Sequence, residues 1–346
     1  MRDHTVASRR PGLHDVARVA KVSHQTVSRV LNDQPHVRPA TRERVQQAIA
    51  ELGYRRNAAA RSLVTHRSGV IGLLTPRTHL YGPTRSMMEV EVAARKAGFF
   101  VSLASVADSS AAALDAAVEH FKDQAAEAVV LIAPEKAWLD AARVVSNDMP
   151  VVTLCADYRP ARRSLVSVAM DNRKGALLVT EHLVQLGHRD HAFITGPPDS
   201  AEAAARWRAW RSELQRAGHD TSRVYQGDWS SESGYQAGQR LVADGVPTAV
   251  FAANDQMALG LLTALGEAGL DVPLDVSVAG FDDLPESAYF RPGLTTVRQD
   301  FTTLAGRCVD VLERILRNEP AASVRISPEL VIRQSTAPPP HRRRRH

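Results

Sequence analysis

The chain has 346 residues, of which 44% are hydrophobic and 23% are charged. These fractions are close to those of soluble globular proteins, so neither a disordered chain nor a membrane bundle is expected, and the length allows two or three domains. The sequence has no apolar run long enough to span a membrane, and it begins without the apolar stretch of a signal peptide. Cys155 and Cys308 lack metal-ligand spacing, which favours reduced thiols. We expect a cytoplasmic protein with no membrane partner.

The charge of the chain is unevenly distributed. Residues 1–68 hold 13 Lys and Arg against 5 Asp and Glu, whereas residues 69–340 hold 26 against 33. The last six residues, HRRRRH, add four arginines. A basic head therefore precedes an acidic body. A short basic segment is typical of contact with a polyanion such as nucleic acid, and a solvated basic arm is the alternative.

Three short helical patterns follow one another in the head: LHDVARVA (13–20), HQTVSRVLN (24–32) and RPATRERVQQAIAELGY (38–54). Ser23 suits the start of the second helix, while Pro39 and Gly53 suit the start and end of the third. The residues that we place on buried faces are Val16, Val19, Ala20, Val27, Val30, Leu31, Val45, Ala48, Ile49 and Leu52. Two short helices joined by a tight turn and followed by a third predict a helix-turn-helix domain.

The second helix has a polar face opposite its apolar stripe. His24, Gln25, Ser28 and Arg29 lie on it, and such side chains can enter the major groove of DNA. Gln pairs with adenine and Arg with guanine through two hydrogen bonds each, whereas Thr26 and Ser28 suit phosphates. The alternative is the ordinary solvated face of a three-helix bundle.

The motifs DVARVAKVSHQTVSRVLN, TRERVQQAIAELGY and NAAARSL closely resemble the DNA-binding head of the LacI/GalR family of bacterial repressors. The resemblance implies that His24 and Gln25 select the operator sequence and that Arg29 reads a further base. It also assigns Asn32 and Asn57 to the DNA contact.

The linker RRNAAARSLVTHRS is short and basic, and isolated helices of this length are marginal in water. The resemblance implies that residues 57–68 fold into a hinge helix on operator DNA and that Leu63 wedges a base step in the minor groove. The alternative for Leu63 is a core residue that caps the next domain. Arg56 departs from the family, in which Pro usually precedes the Asn.

The body alternates apolar runs with helical stretches, which predicts βαβ units and parallel sheets. The predicted strands are 70–74, 99–105, 128–133, 150–155, 191–196, 248–254 and 276–283, and the predicted helices are 87–98, 113–124, 175–188, 201–218 and 255–270. Ligands bind beyond the carboxyl ends of such strands. Arg206, Trp229, Asn254, Asp282 and Gln299 lie at or near such positions. Together they suggest a sugar site, although each alone is more simply a cap, a surface residue or a core residue.

The segments GDWSSESGYQAGQRLVADGVPTAVFAANDQMALG, VAGFDD and LTTVRQDF are similar to the sugar-binding core of the same family. The resemblance covers residues 13 to about 335. It implies that Arg206, Asn254 and Asp282 bind sugar hydroxyls and that Trp229 stacks on the ring. The remaining residues that it assigns to the pocket are Gln299, Phe301, Leu80 and Pro83.

The chain departs from the family pattern at several pocket positions. Cys155 stands where relatives have Asp, with Asp157 two residues further on, and Met170 stands where they have Phe. Ser86 and Glu202 also differ. A galactoside-like sugar stays compatible with the resemblance, and these departures favour a different substituent beyond its first ring.

The predicted fold is an N-terminal all-α helix-turn-helix head plus an α/β core of two doubly wound parallel-sheet subdomains, as in periplasmic binding proteins. The predicted parts are a DNA-binding domain (12–56), the hinge (57–68), a sugar-binding core (69–335) and a disordered Pro/Arg tail (336–346). Within the core we expect an N-subdomain (69–168 and 299–325) and a C-subdomain (171–296 and 326–335).

Catalysis is not expected, because no HExxH, P-loop, GxSxG or CxxC motif occurs and the adjacent carboxylates Asp282 and Asp283 should point apart. No metal site and no cofactor are expected.

The sequence thus predicts a nucleoid-associated repressor of carbohydrate-use genes that binds a palindromic operator as a homodimer and is released by a sugar. We expect no tetramer built by a C-terminal heptad helix, because Pro338–Pro340 cannot start such a coil, and the arginine tail is expected to be silent or weakly non-specific. The alternatives are a family member that responds to a nucleobase or a phosphosugar, and a sugar-binding protein or enzyme without DNA binding.

Overall fold

The computed structural model describes residues 11–31, 34–35, 37–54, 67–108, 110–132, 138, 142, 145–146, 148–154 and 165–339. The chain divides into two units, Met1–Ser68 and Gly69–His346. Each unit has its own buried apolar core. No helix in the described ranges is long and apolar enough to cross a membrane.

The N-terminal unit contains α1 (Leu13–Ala20), α2 (His24–Leu31) and α3 (Pro39–Leu52). The predicted helix ends are confirmed. The Ser23 hydroxyl accepts a hydrogen bond from the backbone N–H of Thr26 at 3.1 Å, and Gly53 ends α3 with a left-handed φ of 59°. Val27 and Val45 are fully buried between the helices.

One residue predicted to be buried lies on the surface. Val19 is 37% exposed, while Ala17, absent from the predicted face, is 7% exposed. The buried stripe of α1 is centred between Val16 and Ala17, and Val19 lies roughly 110° around the helix from that centre because each residue advances by about 100°. The prediction for Val19 was therefore wrong.

The first sheet of the large unit is parallel and six-stranded. Its strands are β1 (Val70–Pro76), β2 (Phe100–Val106), β3 (Ala128–Ile132), β4 (Val151–Leu154), β5 (Leu165–Met170) and β11 (Val324–Ile326), in the order β11-β5-β4-β3-β1-β2. Its helices are α4 (Tyr81–Lys96), α5 (Ala111–Asp123) and α10 (Phe301–Leu316). Ile71 and Leu73 belong to the apolar cluster of α4 and α10, whereas Leu74 belongs to the cluster of α5. Alternate residues of β1 therefore face opposite layers, as a strand covered on both faces requires.

The second sheet is parallel and four-stranded. Its strands are β6 (His191–Thr195), β7 (Val224–Gln226), β8 (Ala249–Ala252) and β9 (Ser277–Ala279), in the order β7-β6-β8-β9. Its helices are α6 (Asn172–Gln185), α7 (Ala201–Arg216), α8 (Ser231–Ala243) and α9 (Asp255–Glu267). Helices α8 and α9 pack so closely that a Cβ on Gly260 would lie 1.8 Å from the carbonyl oxygen of Ser231.

Two short strands connect the sheets. The chain passes from one sheet to the other after Met170, and again through β10 (Thr296–Arg298) and β12 (Glu329–Val331). These two strands pair antiparallel, and we call them the crossover ribbon. The two doubly wound sheets and the helix-turn-helix head confirm the predicted fold class.

The helix predicted over 87–98 begins six residues earlier, at Tyr81. Leu80 is extended at its N-cap, and Pro83 stands in the first turn, where a missing N–H has no cost. Because the helix starts early, the segment HLYGPT (79–84) lies just beyond the carboxyl end of β1.

Candidate functional site

The exposed face of α2 carries the predicted DNA-reading residues. His24, Gln25 and Arg29 are exposed, and Thr26 and Ser28 are partly buried. The Thr26 hydroxyl lies 2.9 Å from that of Ser23. The predicted DNA contacts Asn32, Asn57 and Leu63 lie outside the described residues.

A cavity of about 120 Å³ lies within the large unit. It is bordered by strand ends of the first sheet, by loops and helices that follow the strands of the second sheet, and by Gln299 just after β10. All eight residues predicted for the effector line it: Leu80, Pro83, Arg206, Trp229, Asn254, Asp282, Gln299 and Phe301. The starts of α4 and α10, which pack on the first sheet, supply an apolar wall with Leu80, Pro83 and Phe301. Loops and helices that follow the strands of the second sheet supply most of the polar groups. Residues separated by more than 200 positions are therefore brought together, as expected beyond the carboxyl ends of parallel strands.

Arg206 is a buried polar residue of the cavity, 5% exposed, and contacts several neighbouring groups. Its Nε donates to Oδ1 of Asn172 at 2.8 Å, and its Nη1 donates to the carbonyl of Ala253 at 2.5 Å. Nη1 also lies 3.6 Å from Oδ1 of Asp282, and the guanidinium stacks 3.7 Å from the centre of the Phe281 ring. Burial lowers the pKa of the guanidinium, and the charge of Asp282 opposes this. Its orientation is thus fixed before any ligand arrives.

Asp282 faces Arg206 from the loop after β9. Its Oδ1 accepts a hydrogen bond from Nε2 of Gln299 at 2.6 Å. Burial raises the pKa of Asp282 to about 6, although Arg206 and the Gln299 hydrogen bond both lower it. The backbone φ of Asp282 is 115°, a region that residues other than glycine rarely adopt and that concentrates at functional sites.

Trp229 supplies an aromatic wall and is held from two sides. Gly196 lies under the ring so closely that a Cβ there would be 2.4 Å from it. The Trp229 carbonyl accepts a hydrogen bond from Nδ2 of Asn254 at 3.0 Å, and Oδ1 of Asn254 caps α9 by accepting from Met257 N–H at 2.9 Å. The amide of Asn254 has a second N–H that can donate to a ligand.

A second carboxylate lies behind the cavity. Asp255 is fully buried and accepts hydrogen bonds from the Ser287 and Thr296 hydroxyls and from Leu284 N–H, at 2.6, 2.5 and 3.0 Å. Burial, followed by the charge of Asp282, raises the pKa of Asp255 to about 7, against these hydrogen bonds.

The structure adds lining residues that sequence reasoning did not single out for the site, chiefly Tyr81, Asn172, Ser200 and Gln256. Asn172 follows β5, a strand that the sequence analysis did not predict. Had LVSVAM (165–170) been recognised as a strand, the same rule would have selected Asn172. The divergent residues Ser86, Met170 and Glu202 also line the cavity, whereas Cys155 and Asp157 lie outside the described residues. No group of three or more metal-ligating side chains occurs within the part of the chain that the structure describes.

Comparisons with known proteins agree with this arrangement. The description "Bacterial regulatory proteins, lacI family" matches residues 12–57, and "Periplasmic binding protein-like domain" matches residues 180–336. The chain is 35% identical over 336 residues to the lactose operon repressor of Escherichia coli strain K12, which covers 95% of this chain and 91% of that relative. It is 31% identical over 328 residues to the HTH-type transcriptional repressor PurR of Pasteurella multocida strain Pm70, covering 93% and 98%. A crystal structure of the lac repressor dimer bound to operator and the anti-inducer ONPF matches with a TM-score of 0.82 and 33% identity, over 95% of this chain and 100% of that one.

The head, the two-sheet core and the cavity define a DNA-binding regulator with a small-molecule site. The chain belongs to the lacI family of bacterial regulatory proteins, and it is a DNA-binding transcriptional repressor rather than an enzyme. The predicted resemblance to this family is confirmed.

Proposed function

We propose that this repressor binds a palindromic operator as a homodimer and that a neutral, galactoside-like sugar releases it, so that it controls carbohydrate-use genes. The observation that supports the sugar most strongly is the convergence of Arg206, Asn254, Asp282 and Trp229 on one cavity. Carboxylate and amide groups bind hydroxyls, and an aromatic face covers the apolar side of a sugar ring.

The cavity has the size of a monosaccharide. One water molecule needs about 10–15 Å³ by the same measure, so about 120 Å³ accommodates roughly ten water-sized groups. A hexose ring with its hydroxyls is of this size.

The charges disfavour the phosphosugar alternative. Arg206 is the single Lys or Arg among the described lining residues, and its Nε and Nη1 already contact Asn172, Ala253 and Asp282. A phosphate would therefore meet Asp282 and Glu202 with a single lining cation whose charge already opposes that of Asp282.

The head is proposed to read DNA through α2. His24, Gln25 and Arg29 would contact bases, and Thr26 and Ser28 would contact phosphates. For the residues outside the described ranges, the family supports Asn32 and Asn57 as DNA contacts and Leu63 as the minor-groove wedge of a hinge over 57–68. One head buries little surface, so two half-sites about 34–36 Å apart supply the affinity.

The proposed mechanism is a coupling between two sites. Sugar bound between the subdomains changes their relative orientation, the hinge loses order and operator affinity falls. Such coupling is reciprocal, so operator must weaken sugar binding by the same factor.

The test measures anisotropy of a labelled palindromic operator, found by selection from random palindromes, while ligand is added. Methyl β-D-galactopyranoside, glucose 6-phosphate and hypoxanthine are compared, and a scrambled duplex is the DNA control. We expect release by the galactoside alone. Release or tighter binding with either of the other two would contradict the neutral sugar, and equal affinity for the scrambled duplex would contradict specific reading. Calorimetric titration of the galactoside with and without operator then checks reciprocity.

A further inference from the structure

The two adjacent carboxylates after β9 have different surroundings. Asp282 lines the cavity, whereas the Asp283 side chain is 8% exposed and faces the crossover ribbon. The backbone φ is positive at both residues, 115° at Asp282 and 52° at Asp283. The turn that points the two side chains apart is therefore strained rather than extended.

Asp283 binds both strands of the ribbon. Its Oδ2 accepts from Nε of Arg298, on β10, at 2.7 Å, and its Oδ1 accepts from Nη2 of Arg333, just after β12, at 2.6 Å. Arg333 is itself fixed, because its Nη1 donates to the carbonyl of Leu294 at 2.8 Å. One carboxylate therefore joins two of the three chain segments that pass between the sheets.

Backbone contacts reinforce the connection. Asp282 N–H donates to the carbonyl of Val297 at 2.8 Å, and Asp283 N–H donates to the Thr296 hydroxyl at 3.4 Å. That hydroxyl donates to Asp255, the residue after the cavity residue Asn254. Two polar residues of the cavity are thus each followed in the chain by a buried carboxylate that is bound to the ribbon.

We propose that Asp283 is a positioning residue that holds the ribbon against the cavity loop and transmits sugar occupancy at Asp282 to the two crossover strands. The inference rests on the proposed function. Movement of the loop toward a bound sugar displaces Arg298 and Arg333 together, and with them the connection between the sheets. Arg333 and Asp283 are both largely buried, so this pair has few alternative partners and transmits displacement rather than absorbing it. Arg298 is half-exposed and also lies 3.8 Å from Oε2 of Glu329, on the other strand of the ribbon.

The test compares Asp283→Asn with the wild-type full chain. The readout is the ratio of the dissociation constants of methyl β-D-galactopyranoside with and without operator, which a uniform loss of affinity does not change. Coupling in such systems is about 5–150-fold, and we expect the ratio to fall to within about twofold of one in Asp283→Asn. Arg333→Met removes the more buried partner and should act in the same direction.

The control is Asp190→Asn. Asp190 is half-exposed and forms an ion pair with Arg223, with 3.2 Å between Oδ1 and Nη1. Neither residue lines the cavity, so this variant should leave the ratio unchanged. A wild-type ratio of one would refute the proposed function. A wild-type ratio above one that Asp283→Asn and Arg333→Met both retain would refute this inference alone.

A second measurement needs no sugar. Amide hydrogen exchange of the ligand-free protein should be about tenfold faster or more at residues 296–298 and 329–331 in Asp283→Asn than in wild type, and unchanged there in Asp190→Asn. Unchanged ribbon exchange in Asp283→Asn would overturn the positioning role, whatever the effector is.

Discussion

Replacing Arg206 with Met tests how the buried cation contributes to the stability of the sugar-binding core. Met retains much of the aliphatic volume but donates no hydrogen bond. The carbonyl of Ala253 and Oδ1 of Asn172 each lose a donor at 2.5 and 2.8 Å, and the carboxylate of Asp282 loses its counter-ion. The free energy of unfolding of the large unit should therefore fall.

The magnitude follows from the burial of these groups. Leaving a buried acceptor without a partner costs about 1–3 kcal/mol, and removing one partner of a buried ion pair costs about 3–5 kcal/mol. These figures overlap, since they describe the same desolvated groups, and the variant no longer has to bury a guanidinium. We expect a loss of about 3–5 kcal/mol at pH 8.

The loss should depend on pH with a definite sign. The pKa of Asp282 is raised to about 6 in the folded chain, above its unfolded value of about 3.9. A raised carboxyl pKa means that the ionised form is disfavoured by folding, so stability falls as pH rises from about 4 to about 6 and is then constant. Without Arg206 the pKa rises further and the fall continues above pH 6. The difference between variant and wild type is therefore larger at pH 8 than at pH 5.

Urea unfolding followed by tryptophan fluorescence measures this loss, because all four tryptophans lie in the large unit. Arg208→Met, at an exposed position of the same helix, is the control and should change stability by less than about 0.5 kcal/mol. The double variant Arg206→Met/Asp282→Asn should regain part of the loss, since no carboxylate is left unpaired. A loss below about 1 kcal/mol, or the same loss at pH 5 and pH 8, would refute the reasoning.

Three further outcomes are expected. Arg29→Ala should weaken operator binding by about 5–150-fold and random-duplex binding far less, by anisotropy; equal losses would make Arg29 a phosphate contact. Trp229→Ala should abolish release by methyl β-D-galactopyranoside while operator affinity is retained; surviving release would move the sugar site elsewhere. Gly260→Ala places a Cβ 1.8 Å from the carbonyl of Ser231 and should lower the free energy of unfolding by about 1–3 kcal/mol or more in urea. Gly266→Ala, on the same helix with no atom within 4 Å, should instead be neutral or stabilising, and equal effects would contradict the packing argument.

The sequence by itself determined the head and the order of the large elements. Val27 and Val30 in α2, and Val45 and Ala48 in α3, recur at helical spacing. The caps at Ser23 and Gly53 act within one turn of the chain, so local physics fixes these helices. The rule that ligands bind beyond strand ends, together with the family resemblance, also selected residues that share one cavity.

Only the tertiary structure decided how these residues are held. The ribbon strands are three residues long, too short to show a hydrophobic period, and they exist because each pairs with a strand more than 30 residues away. The positive φ of Trp229 and Asp282 is sustained by packing on Gly196 and by Val297, which no local pattern encodes. Asp283 and its neighbour Asp282 are the same type of residue. The role of Asp283 is set by the two arginines that long-range folding brings to it. The same is true of the charges: the sequence separates a basic head from an acidic body, but the fold decides that one acidic residue faces the cavity and the next faces the ribbon.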